Sequence, residues 1–364
     1  MKKFFKPFLN KYFLYTLAAL VSVGVLVAVF FQSKDQFIEI WTKVNTKYLV
    51  LCGVCAVAIY FSMGMALWEI LRVMGKKLSI PSTIAIALVS TTVNYLVSSF
   101  GVSGFALRAH LLGRRKVPLG VSVTASIVSS VIIYFVLAII ILMGSTLMFL
   151  SSSATQEQML QNLLLIIGMG VVCFVITMFL FNNDFRITWV RKIFRLINRI
   201  SYKLFSAIIP KYRFDNFRNQ FETGITFIQK KKGRLTFPII YICADWLFTM
   251  LILYFAFRAV GEYVSAGVLI AGFAVGMATT LIPILPGGIG AMELAMTAIF
   301  ANSGIPWESA LTACLIYRFS YYIMPGVFSI FVYWALQLSD STSTMRKKLD
   351  KMKAGRRNQH EGKN

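Results

Sequence analysis

Residues 119–150, "LGVSVTASIVSSVIIYFVLAIIILMGSTLMFL", run without one charged side chain, and nothing else in the chain limits its fold as tightly. At about 1.5 Å of rise per residue, a helix of this length crosses the roughly 30 Å hydrocarbon core of a bilayer. In lipid each backbone N–H and C=O must find its partner inside the protein, so the run reads as a membrane-spanning helix. Runs of similar character lie at 12–31, 48–73, 160–181, 235–258 and 308–337. Hydrophobic residues make up 57% of the chain, charged residues 14%, and the mean hydropathy is +0.71, beyond the range of a soluble globular domain. The expectation is an all-α polytopic membrane protein with about six full spans. The first run follows "MKKFFKPFLNKY" as a signal peptide would, but it is bilayer-long and no small-residue cleavage site follows, so it reads as a retained span.

Charge orients these spans. There are 37 Lys and Arg against 14 Asp and Glu, concentrated between apolar runs, and basic loops stay on the cytoplasmic side. A basic start (Lys2, Lys3, Lys6, Lys11) places the N-terminus inside and returns the chain to the cytoplasm at Arg72, Lys76 and Lys77. The next basic cluster is Arg114, Arg115 and Lys116. It stays inside only if the intervening apolar stretch, 81–112, dips into the membrane and comes back, and "SSFGVSG" supplies Gly101 and Gly104 for the reversal. Stretch 264–302 poses the mirror-image problem. The basic tail, "MRKKLDKMKAGRRNQ", is cytoplasmic only if this stretch enters and leaves from the outer face, turning at "PILPGGIG" through Pro286, Gly287, Gly288 and Gly290. The assignment leaves only Lys34, Lys43 and Lys47 outside, with Arg258 and Arg318 within spans.

The two halves then repeat one pattern: a span, a glycine-tipped re-entrant hairpin, another span. The hairpins open to opposite faces, the arrangement of an inverted-topology repeat in which sites form near the midplane. The expected organisation is one transmembrane domain over 1–340 and a disordered basic cytoplasmic tail over 341–364. Within the domain, hairpins 81–112 and 264–302 accompany a cytoplasmic basic insert at 182–234. In that insert, 186–209 alternates Trp189, Ile193, Phe194, Ile197, Ile200 and Leu204 with Arg191, Lys192, Arg195, Arg199 and Lys203. Such a helix suits anionic lipid of the inner leaflet; packing on the following helix, about 211–230, is a compatible alternative. The basic residues come with no nucleic-acid recognition fold, so no nucleic-acid partner is expected. Cys52 and Cys55 form a CxxC inside a span with no companion pair, which points to helix packing rather than redox or metal chemistry.

No GxxxxGK[ST] or HExxH motif is present, and His110 and His360 are the only histidines, so neither ATP hydrolysis, zinc catalysis, a metal nor a cofactor is expected. Intramembrane charges remain, and such residues face an interior and pair with one another. Glu293 follows Gly290 by three residues and Arg108 follows Gly104 by four, each placed beyond a hairpin tip; Asp245 and Arg318 lie about ten residues into their spans. Two acids and two bases can pair around one cavity, with Glu293 answering Arg108 or Arg318. They can tie helices together as structural pairs, or they can line a lipid pathway in which Arg108 and Arg318 hold a phosphate. Glu293 and Asp245 then hold a cationic headgroup, a proton or the arginines. Asn94, Tyr95, Tyr317, Tyr321 and Tyr322 are candidate lining or helix-contact residues. Glu69, beside Trp68 and Arg72, reads as an interfacial anchor, and Arg258 as a side chain reaching back to the interface.

"PGGIGAMELAMTAIF" followed by "LIYRFSYYIMPGVFSI" is similar to the C-terminal signature of the lysylphosphatidylglycerol synthase transmembrane-region family, the flippase-like domain at the N-terminus of multiple peptide resistance factor proteins. The matching positions are Pro286, Gly287, Gly288, Gly290, Glu293, Arg318, Pro325 and Gly326. "SSFGVSGFALRAHLLGRR" resembles the family's Gly-Glu-x-x-Arg-x-x-x-Leu element through Gly104, Arg108 and Leu112, with Phe105 where the acid is expected. The resemblance implies a multi-pass bacterial plasma-membrane protein, both termini cytoplasmic, that moves phospholipid such as lysyl-phosphatidylglycerol, or a polyprenyl-linked lipid, between leaflets. It also leaves two alternatives open. One is the membrane part of a lysyltransferase system whose soluble catalytic domain is expected to be absent from this chain and supplied by a separate synthase. The other is a non-transporting scaffold in envelope lipid synthesis. A homo-oligomer fits any of the three.

Overall fold

The computed structural model describes residues 44–96, 102–151, 182–205, 210–280 and 290–338, with Thr42 and isolated positions between 167 and 178. The expected first span, nearly all of 160–181, the tip residues Gly101, Pro286, Gly287 and Gly288, and the basic tail lie outside the described residues. Secondary structure among the described residues is entirely helical. In chain order the helices are α1 (Thr46–Val73), α2 (Ile80–Leu96), α3 (Val102–Arg114), α4 (Leu119–Ser151), α5 (Asn183–Phe205) and α6 (Lys211–Lys230). A short 3-10 turn, Lys232–Leu235, leads into α7 (Thr236–Ala259), then α8 (Ala266–Thr280), α9 (Ala291–Asn302) and α10 (Trp307–Leu338).

Four of these stretches are long and apolar enough to cross a membrane: Thr46–Val73, Leu119–Leu147, Gly233–Ala259 and Trp307–Leu338. They coincide with the spans read from the sequence at 48–73, 119–150, 235–258 and 308–337. Local chemistry sets their ends. The Asn45 side chain accepts from the Lys47 N–H at 3.1 Å to open α1. At the other end Gly75 takes φ +75, letting Lys76 N–H return to the Leu71 carbonyl at 2.9 Å.

α1 and α7 form the central pair and run antiparallel: Asn45 N–H donates to the Ala259 carbonyl at 2.9 Å, and Cys52 Sγ lies 3.5 Å from the Ile252 carbonyl. Around them are buried Ile59, Trp246, Phe257, Phe273 and Phe300. Lipid tails are as apolar as these side chains, so close packing rather than escape from water holds the helices. Cys52, Cys55 and Cys314 are buried free thiols within that packing.

The two awkward stretches are each a pair of antiparallel helices. In the first, Gly104 of α3 approaches Ser90 and Asn94 of α2 so closely that a Cβ would lie 2.6 Å from the Ser90 carbonyl oxygen. In the second, Gly272 and Gly276 of α8 face Phe300 and Met296 of α9. With 17, 13, 15 and 12 residues, the four arms are about 25, 20, 22 and 18 Å long, short of the hydrocarbon thickness. Gly104 therefore serves a close approach inside α3 and not the turn itself, because α3 already begins at Val102. Each helix pair packs on a long helix from the other half. Gly144 of α4 abuts Ala274 and Ile270 of α8, while α10 reaches α2 and α3 through Tyr321 to Tyr95 and Gln337 to Arg114.

α6 docks where spans end: Gln220 Oε1 accepts from Gly120 N–H at 3.1 Å, and Gly224 faces Met74 and Thr124. α5 is tied to α6 by Arg186, whose Nε lies 3.0 and 3.1 Å from the two Glu222 carboxylate oxygens, and by Phe194 stacked on Phe214 at 4.0 Å. At the membrane edges, Glu69 pairs with Arg72 at 3.5 Å, and Arg258 sits over the rings of Tyr48 and Tyr263.

Candidate functional site

Arg318 is buried in α10, and its Nε lies 2.9 Å from Oε1 of an equally buried Glu293. Nη2 reaches Oε2 of the same carboxylate at 3.5 Å. Glu293 occupies the first turn of α9, where its Oε2 also accepts the Gly290 N–H at 2.8 Å. The carboxylate is thus held on one side by a helix N-terminus, with its unpaired N–H groups and partial positive charge, and on the other by a guanidinium. Gly290 adopts φ +85 and ψ −51 to make that contact, a conformation that side chains other than hydrogen rarely tolerate. The guanidinium carbon is 4.4 Å from the centre of the Tyr322 ring, a cation–π contact.

Immediately after Arg318 the helix widens into a π-turn over Phe319–Ile323, closed by Met324 N–H on the Phe319 carbonyl. Pro325 explains the break. It has no N–H to give the carbonyl four residues back, which is Tyr321, and its ring crowds that carbonyl. Tyr60 of α1 takes the place of the missing donor, its hydroxyl 3.1 Å from the Tyr321 carbonyl oxygen. The Tyr321 hydroxyl in turn lies 2.7 Å from that of Tyr95 at the end of α2. Tyr95 also packs on the Tyr322 ring at 4.8 Å, and Tyr317 stacks on Tyr321 at 5.8 Å while meeting Phe273 of α8 edge-on. The π-turn is thereby a junction of α1, α2, α8, α9 and α10.

Asp245 is buried in α7, within Coulombic range of Tyr60, Tyr95, Tyr317 and Tyr321. Among the described residues its Oδ1, the Trp246 Nε1 and the Tyr317 hydroxyl have no hydrogen-bond partner. Buried polar atoms are normally paired, and each one left unpaired costs about 1–3 kcal/mol. Asp245 and Tyr317, which lie within Coulombic range of each other, thus leave an acceptor and a hydroxyl open inside an apolar body.

Of the four charges singled out in the sequence, Glu293 and Arg318 come together. Arg108 does not join them. It lies in the second turn of α3, on the face toward α2, where its Nε donates to Ser90 Oγ at 3.1 Å. Asp245 meets neither arginine in an ion pair among the described residues, so the expected two acid–base pairs reduce there to one. Tyr60 and the π-turn went unnoticed in the sequence. Their signal was Pro325 inside a span, which frees one identifiable carbonyl and requires a donor elsewhere.

Comparison with known proteins finds that the family profile described as "Lysylphosphatidylglycerol synthase TM region" matches residues 15–329. A phosphatidylglycerol lysyltransferase of Staphylococcus haemolyticus is 24% identical over 334 residues, covering 87% of this chain and 33% of that protein. A phosphatidylglycerol lysyltransferase of Staphylococcus aureus strain COL is 26% identical over 168 residues, 45% of this chain and 18% of its own length. That of strain MRSA252 is 35% identical over 88 residues, covering 24% and 10%. The chain thus spans a third or less of the length of these curated relatives.

Proposed function

The chain belongs to the lysylphosphatidylglycerol synthase transmembrane-region family, and on that premise we propose that it carries a phospholipid between bilayer leaflets, the headgroup passing the Arg318–Glu293 junction while the acyl chains stay in lipid. The buried ion pair beside an aromatic, hydroxyl-bearing π-turn carries this reading. An arginine fork binds a phosphate through two parallel N–H groups. When a phosphate engages Arg318, the Glu293 charge keeps its second hold on Gly290 N–H and is not stranded. Asp245 and the free tyrosine hydroxyl of Tyr317 then face the polar remainder of the headgroup, an aminoacyl ammonium or glycerol. Arg108, set one helix pair away, meets the lipid at a different depth.

In this reading α2–α3 and α8–α9 are re-entrant hairpins entering from opposite faces, within six spans arranged as an inverted repeat with both termini cytoplasmic. Their short arms, antiparallel packing and exchange of long-helix partners between halves support it. The substrate class is an aminoacylated or anionic phospholipid such as lysyl-phosphatidylglycerol, or a polyprenyl-linked lipid. Purified protein in vesicles bearing leaflet-resolved labelled lipid is expected to speed exchange over empty vesicles. No acceleration with any anionic, cationic or polyprenyl-linked lipid overturns the proposal.

Similarity to phosphatidylglycerol lysyltransferases favours a second reading, the membrane part of a phosphatidylglycerol lysyltransferase system. It predicts product from charged lysyl-tRNA and phosphatidylglycerol only when a soluble partner is supplied, with no lipid exchange by this chain alone.

A further inference from the structure

Among the described residues, α5 presents two surfaces and packs on the rest of the protein by one of them. At 100° per residue, Arg186, Val190 and Phe194 follow one flank, where Arg186 is buried on Glu222 and Phe194 stacks on Phe214. On the other flank Trp189, Ile193 and Leu196 fall within an arc of roughly 60°, and they are 44%, 48% and 54% exposed. Lys192, Arg195 and Arg199 fill the next arc, of roughly the same width, and all three are exposed. Lys192 folds its stem back so that Nζ stands 5.1 Å from the Trp189 ring centre, the posture of a lysine whose chain covers apolar surface while its head stays with water or phosphate. Against these cations α5 carries one acid, Asp184 in its first turn. Its position completes the case. α6, which holds α5, is seated on Met74, Gly120 and Thr124, at the end of α1 and the start of α4, and leads directly into α7. The pair therefore sits at the level where three spans leave the apolar layer.

We propose that the outer surface of α5 docks on the anionic headgroup layer of the protein's own bilayer, with Trp189, Ile193 and Leu196 inserted at the acyl boundary and Lys192, Arg195 and Arg199 against lipid phosphates. Apolar and basic arcs side by side on one exposed surface fit a bilayer interface, which offers both environments within a few ångströms of depth. The Arg186–Glu222 pair fixes which arc faces lipid. Through it, surface charge acts on α6 and so on the cluster of Leu111, Leu112, Val121 and Ile228 that closes the base of the first helix pair. This inference does not depend on lipid being transported.

The test uses the full chain with its native cysteines replaced and Ile193→Cys carrying an environment-sensitive fluorophore, reconstituted into phosphatidylcholine vesicles with and without phosphatidylglycerol. Expected are quenching by a nitroxide placed just below the lipid headgroups, growing with the anionic fraction, and its reversal by high salt. Each of Lys192→Gln, Arg195→Gln and Arg199→Gln is expected to weaken docking about five-fold. The lipid series needs no change in the basic arc, so it stands even if the variants fold poorly. A probe exposed to water at every composition overturns the proposal. So does protection that follows protein density and ignores lipid charge, which would assign the surface to a second copy.

Discussion

Arg318 illustrates how one buried side chain is held by several weak claims rather than one strong one. Its charge is answered by Glu293, its planar face lies on Tyr322, and Glu293 has a further hold on the α9 N-terminus. Removing one member of a buried ion pair strands the other at about 3–5 kcal/mol, whereas replacing both by neutral groups of similar size costs far less. Glu293→Gln and Arg318→Met are each expected to lower Tm in detergent by several degrees, and the two together to lower it by less than their sum. Additive losses in that double-mutant cycle contradict the pairing. Tyr60 makes a sharper case. Tyr60→Phe leaves the Tyr321 carbonyl without its side-chain donor, a loss of about 1–3 kcal/mol. Pro325→Ala restores an N–H four residues on, so Tyr60→Phe should cost much less in that background. An equal cost in both would show that the proline is not what frees the carbonyl.

At the level of elements, the helix pairs depend on close approach. Gly104→Ala puts a methyl 2.6 Å from the Ser90 carbonyl oxygen, and overpacking of this kind costs about 1–3 kcal/mol. Gly113 lies on the same helix with nothing within 4 Å of a Cβ, so Gly113→Ala is expected to be neutral or to stabilise by up to about 1 kcal/mol. Thermal unfolding of the two variants separates close packing from a general dislike of alanine in α3; equal effects contradict the packing role. The contrast shows what could be read in advance. The length and position of the four long apolar helices were legible because the bilayer imposes them. Whether a glycine turns the chain or admits a neighbouring backbone was not, since Gly104 serves the second purpose in a motif that suggests the first. Of the two partners that the sequence left open for Glu293, Arg318 is the one it meets, and Arg108 turns instead to Ser90 of α2.

For the whole molecule, the two halves lean on each other: α1 on α7, α4 on α8, and α10 on α2 and α3. The acid and base of the junction lie 25 residues apart in one half, with Tyr317, Tyr321 and Tyr322 beside them, while Tyr60 and Tyr95 reach it from the other. Sequence periodicity shows which residues are charged inside lipid, but contacts between halves that are this distant in sequence leave no periodic trace. The lipid-transport account joins these scales through Arg318. It is tested most directly by leaflet-resolved lipid exchange in vesicles containing wild-type protein or a folded Arg318→Gln variant, with unfolding monitored on the same samples. The account predicts exchange well above empty vesicles for the wild type and at least ten-fold slower for the variant, about 1.4 kcal/mol on the barrier. A variant that remains folded and exchanges lipid as fast as wild type contradicts it.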